Sequence, residues 1–188
     1  MLKRTFFVAL MVLSFTLSGC VSGASGLKAY VDSLDGYQFL YPNGWVPVQV
    51  ASGADVVFHD LIQTTENVSV VVSSVSGGKT LTDLGTPEEL GQKLAKTMMP
   101  ANSSWTAELV GAIATDAGTQ TYYNLEYLVR RPNPSASTGE ASFQERHQLA
   151  SVAVSRGKLY TLSLSAPEER WPRIKDLFRQ VAGSFSVY

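Results

Sequence analysis

Hydrophobic and polar positions alternate in several short runs along this chain, most clearly between Gln120 and Leu164. Tyr123, Leu125, Tyr127 and Val129 alternate with Asn124 and Glu126, the period-two pattern of a half-buried strand. Leu149 to Val154 is small and β-branched, and Tyr160, Leu162 and Leu164 alternate again. Between the last two runs, Ser155-Arg156-Gly157-Lys158 predicts a tight hairpin, because Gly157 takes positive φ without steric cost. The three runs predict an antiparallel meander, interrupted by a Pro- and Ser-rich loop from Arg131 to Gly139 that is too polar to pack.

Shorter strands precede it. Tyr37, Phe39 and Tyr41 share one face, and Pro42-Asn43-Gly44 turns the chain ahead of Trp45. Val56 and Phe58 mark a strand over 54–59, and Trp105 to Thr115 a further one. Asn67 to Val72 is continuously apolar or small, which predicts a strand buried on both faces. The aromatic side chains from Tyr37 to Trp45 read as core rather than as a ligand groove.

Two helices are signalled. Thr86 is placed to cap, Pro87 fits the first helical position and Glu89 completes a capping box. Leu90, Leu94 and Met98 form that helix's buried stripe, and Pro100 ends it. Ile174, Leu177, Phe178 and Val181 make one apolar face of a second helix over 172–182. Gly183 stops it, and Phe185 and Val187 return as an edge segment. The sum is an α+β fold, an antiparallel β-sheet flanked by helices in an α/β/α sandwich.

Residues 1–19 read as a signal peptide, with Lys3 and Arg4 ahead of an apolar stretch too short to span a bilayer. Leu17-Ser18-Gly19-Cys20 is a bacterial lipobox, so Cys20, the only cysteine, is expected to carry lipid. Residues 20–29 then form a flexible tether and 30–188 a single domain. With its cysteine lipidated, the chain has no thiol for a disulfide or a zinc site. The net charge of −1 implies no nucleic-acid partner.

The chemistry on offer is thin. The chain has no Gly-x-Ser-x-Gly elbow, no Cys-His pair and no phosphate-cradling Gly-rich loop, so no catalytic residue is assigned. For metals, Glu145 and His147 at i, i+2 share a strand face, and His59 adjoins Asp60. Each pair offers at most a weak two-ligand site for a divalent ion such as zinc. Arg170, Arg173, Lys175 and Arg179 gather positive charge on the exposed side of the last helix, a surface suited to steering a docking partner.

Several segments, taken together and in order, resemble the PsbP proteins, extrinsic lumenal subunits associated with photosystem II. They include Asp35-Gly36-Tyr37-x-Phe39-x-Tyr41-Pro42-x-x-Trp45, Asn67 to Val72, Pro87-Glu88-Glu89, Tyr122-Tyr123-Asn124-Leu125, His147-Gln148-Leu149, Gly157-Lys158-Leu159-Tyr160, Arg170-Trp171 and Ser184 to Val187. The lipobox departs from the plant members, whose basic N-terminal extension is implicated in holding calcium and chloride, and resembles the cyanobacterial lipoprotein form. The resemblance implies a non-enzymatic accessory or assembly protein of photosystem II that assists the oxygen-evolving complex. It would be monomeric and anchored through Cys20 to the lumenal side of the thylakoid membrane. Its partner would be the photosystem II core or an assembly intermediate. No cofactor is obligatory, with zinc or calcium as a weakly bound cation. The alternative is a lipoprotein that buffers or delivers zinc, manganese or calcium.

Overall fold

β1 (Leu27–Asp32), β2 (Tyr37–Pro42), β3 (Trp45–Pro47), β4 (Val56–Asp60) and β5 (Asn67–Ser74) precede the first helix, α1 (Pro87–Thr97). The long strands β6 (Thr106–Ala117), β7 (Gln120–Pro132), β8 (Phe143–Ser155) and β9 (Lys158–Pro167) follow, then α2 (Trp171–Gly183) and β10 (Ser186–Val187). This computed structural model describes residues 26–51, 53–99, 104–132 and 143–188. The signal peptide, Cys20 and the centre of the 131–139 loop lie outside those residues.

Seven strands form an antiparallel sheet in the order β3-β4-β5-β9-β8-β7-β6, and β1-β2-β10 form a second, small sheet. The expected meander is β7-β8-β9. Its last turn has both central residues at positive φ, Arg156 at 49° and Gly157 at 71°, the pattern of the tight hairpin turns whose twist matches the strands. The resulting register pairs Ser155 with Lys158 and His147 with Ala166.

Helices pack on both faces of the large sheet in the α/β/α arrangement, although α1 covers only part of its face. On one face, Tyr123, Leu125, Tyr127 and Val129 pack with Ala150 and Val152 beneath Leu90 and Ala95 of α1. On the other, Tyr160, Leu162, Leu164, Val68 and Val70 pack against Ile174, Phe178 and Val181 of α2 and against Tyr37 and Phe39 of the small sheet. The capping box forms as read: Glu89 N donates to Thr86 Oγ1 at 3.2 Å and Thr86 N to Glu89 Oε2 at 3.0 Å. Tyr37, Phe39 and Trp45 are buried in the core, with Tyr41 packed against it.

Two expectations are corrected. β5 is buried on one face only: Val68 and Val70 are fully enclosed, while Val71 is 38% exposed. The physical reason is coverage, because α1 packs on β6 and β7 and leaves the same face of β5 open. The folded region also begins before residue 30. Leu27, Lys28 and Ala29 already pair with Pro42, Tyr41 and Leu40. Tyr30 anchors this strand through ring contacts with Tyr37, Phe39 and Phe58.

Candidate functional site

His147 of β8 points to the α2 side of the large sheet and is 7% exposed. Three elements converge on its ring. Trp171, the first residue of α2, stacks on it with centroids 3.9 Å apart and planes 8° from parallel. The 3-10 turn Glu168–Arg170 brings Glu168 Oε2 to 2.7 Å from His147 Nδ1. From β7, Glu126 Oε1 lies 2.6 Å from Nε2. The register accounts for both acids. Glu126 is the diagonal neighbour of His147 across β7-β8, and Glu168 continues the β9 side one step beyond Ala166.

A carboxylate accepts, so each ring nitrogen facing one is best served by an N–H. A doubly protonated ring donates to both acids. A neutral ring donates to one and offers its lone pair towards the other, where a metal ion or a carboxyl proton would have to sit. The two nitrogen–carboxylate pairs lie on opposite edges of the imidazole, so they do not converge on one ion.

The other expected ligands are placed elsewhere. Glu145 shares the His147 face, but its carboxylate is 2.6 Å from Arg130 Nε, and both side chains are largely solvated. Asp60 closes the β4-β5 turn, accepting from Ile62 N at 2.7 Å and Gln63 N at 2.6 Å. The Gln63 amide, seconded by that of Ile62, holds its carboxyl below the ordinary aspartate range against a smaller opposing effect of burial. His59 pairs across to Val46 and Asn67, away from the His147 cluster.

Of the basic cluster, Arg170 is committed. Its Nε donates to Oε1 of Glu66 at 2.6 Å, and Glu66 is 2% exposed. Arg173 and Arg179 are exposed on α2, Lys175 is half-buried, and Arg179 makes only a loose contact with Asp176 at 3.7 Å. A further group is one the periodicity did not single out: Asp32, Asp35 and Asp55 bring carboxylate oxygens within 4.8 Å of one another. Oxygen donors suit a hard cation such as calcium, yet Lys158 Nζ already sits 2.7 Å from Asp35 and the Tyr37 hydroxyl donates to Asp55. Burial, followed by that acid, pushes the Tyr37 hydroxyl far above the usual tyrosine range.

The PsbP family profile matches residues 25–187, nearly all of the described structure. The chain belongs to the PsbP family. Among PsbP relatives, CyanoP of Thermosynechococcus vestitus is 52% identical over the full length of both chains. PsbP-like protein 1 of Arabidopsis thaliana, chloroplastic, is 34% identical over 91% of this chain and 69% of its own. The solution structure of cyanobacterial PsbP (CyanoP) from Synechocystis superposes with a TM-score of 0.72 at 47% identity, covering 92% of this chain and 99% of that one. The PsbP fold therefore accounts for both sheets and both helices described above.

Proposed function

We propose that this protein is a non-enzymatic accessory or assembly protein of photosystem II, held at the lumenal face of the thylakoid membrane by lipid on Cys20. The observation that carries this reading is the match of residues 25–187 to PsbP. The lipobox supports the anchor. The site's geometry agrees with a binding role, since both nitrogens of its buried imidazole are engaged by carboxylates of the same chain. The test is affinity purification of the tagged, membrane-anchored protein. Photosystem II core subunits should accompany it from detergent-solubilised membranes, and their absence at every salt concentration would overturn the proposal.

A second reading, metal handling, draws on one observation: His147 has a carboxylate at each ring nitrogen. Zinc would use an unprotonated nitrogen and the adjoining carboxylate, with water or a neighbouring molecule completing its shell. Calorimetric titration of zinc compares the parent with His147→Ala, Glu126→Gln and His59→Ala. Binding lost in the first two variants supports this reading, loss only in His59→Ala moves the ion to the His59-Asp60 turn, and equal heats throughout would reject both.

A further inference from the structure

Arg146 stands on the sheet face opposite His147, because successive strand residues point to opposite faces. It is 9% exposed. Its Nε donates to Ser165 Oγ at 3.0 Å and its Nη2 to the Thr65 carbonyl. Both acceptors are neutral. Among the described residues no carboxylate lies within ion-pairing distance of it: Glu66 is bonded to Arg170 and Glu145 to Arg130, and Glu169, which lines the same cleft, acts on it only at longer range. A buried cation without a counter-charge is costly. Burial lowers the proton affinity of this guanidinium below the usual arginine range, and neighbouring Arg131 acts in the same direction, against smaller opposing effects of Glu169 and Glu66.

Arg131 occupies the same face one diagonal step away, since Val129 pairs with Arg146 and Arg131 with Gln144. It too is positioned by uncharged groups. Its guanidinium carbon lies 5.6 Å from the centre of the Trp105 ring, and its Nε donates to Gln144 Oε1 at 3.3 Å. Two like charges are thus held side by side, with neutral partners steering both.

The two arginines line two adjoining hollows. One is a cleft of about 360 Å³ that also takes in Gln63, Thr65 and Arg170, together with two carboxylates, Glu145 in its ion pair with Arg130 and the exposed Glu169. The other, of about 210 Å³, is lined on one side by Asn67, Ser69, Gln148 and Ser163 and on the other by Met98, Trp105 and Val129. Those polar positions are the counterparts of Val68, Val70, Leu162 and Leu164, which face the opposite core. The face left open by α1 therefore carries a row of hydroxyl and amide groups, flanked by Met98, Trp105 and Val129, that leads to a pair of guanidinium groups.

We propose that Arg146 and Arg131 form a binding site for an oxyanion, whether the carboxylate, sulfate or phosphate of a small molecule, that enters along the polar face beside α1. The planar guanidinium fork matches two oxygens of such a group. The surrounding hydroxyl and amide side chains supply the remaining hydrogen bonds. The site is independent of the photosystem reading.

The test uses the full chain in detergent, following arginine Nε–H resonances and the thermal midpoint while sodium sulfate, phosphate or succinate replaces chloride at matched ionic strength. At least one anion should give a saturable shift of the Arg131 and Arg146 resonances and raise the midpoint, as a ligand of the folded state does. Sulfate and phosphate against succinate separates tetrahedral from carboxylate ligands. Arg131→Gln, on the partly exposed member, should weaken binding by about tenfold or more, and Arg146→Gln should abolish it. If Arg146→Gln fails to fold, Arg131→Gln decides. A non-saturable response equal to that of chloride, or undiminished binding by Arg131→Gln, would overturn the proposal.

Discussion

Trp171 lies flat on His147, with ring centroids 3.9 Å apart. The first residue of a helix is thereby clamped to a residue of a central strand, and the acid just before that helix, Glu168, bonds the same imidazole. The start of α2 is fixed by chemistry on the sheet as well as by its apolar face.

Trp171→Ala should therefore cost more than an exposed aromatic would. The ring is 7% exposed and also meets Phe178 edge-on at 6.0 Å. Removing a buried Trp costs about 3–5 kcal/mol, and Trp171→Phe, which keeps an aromatic plate, should cost less. Urea denaturation checks this. An unshifted midpoint for Trp171→Ala would show that the stack contributes nothing.

Asp60 makes stability depend on acid. Its folded-state pKa lies below the ordinary 3.8, chiefly through the Gln63 amide. A depressed carboxyl stabilises the fold above its unfolded value and loses that contribution as pH falls through the folded value. The parent should therefore lose an increment of stability below about pH 3.8 that Asp60→Asn, lacking the charge, never has. The two thermal midpoints should converge as pH falls through that window. A constant gap from pH 6 downwards would assign the effect to shape alone.

Charge reversal on α2 tests docking without disturbing the fold, provided the right pair is chosen. Arg173→Glu with Arg179→Glu alters exposed cations, whereas Arg170→Glu would set two acids together at buried Glu66. The double variant should unfold at the parent's temperature yet recover less photosystem II on affinity purification, with the difference shrinking at high salt because exposed charges are screened beyond about 8–10 Å. Unchanged recovery would remove this face as the docking surface.

Cys20→Ser should release the protein from membranes while leaving its unfolding unaltered, since residues 20–25 precede the first paired strand. Sedimentation after a high-salt wash distinguishes the cases. Persistent membrane association of Cys20→Ser would show that lipid is not the main anchor.

Local chemistry made much of this protein legible from its sequence. The capping box at Thr86, the alternation of β7 and β9 and the apolar stripe of α2 depend on neighbours within a few positions, so the elements could be read directly. Even part of the site was within reach. The two-residue turn at Arg156-Gly157 sets the β8-β9 register, which by counting alone pairs His147 with Ala166 and brings Glu168 close. Glu126 could not be found that way, because the long connection between β7 and β8 leaves their register open until the sheet forms. Most of the elements, the family resemblance and the lipobox could be read from the sequence, but β1 could not, because residues 27–29 look like tether until they pair with β2. Long-range packing decided that His147 meets Glu126 and Glu168 rather than Glu145, that Arg170 is consumed by Glu66, and that Arg146 is buried with no carboxylate at ion-pairing distance among the described residues. Those outcomes depend on strand order and on which sheet face each helix covers. Both are settled by long-range packing, which local periodicity does not encode.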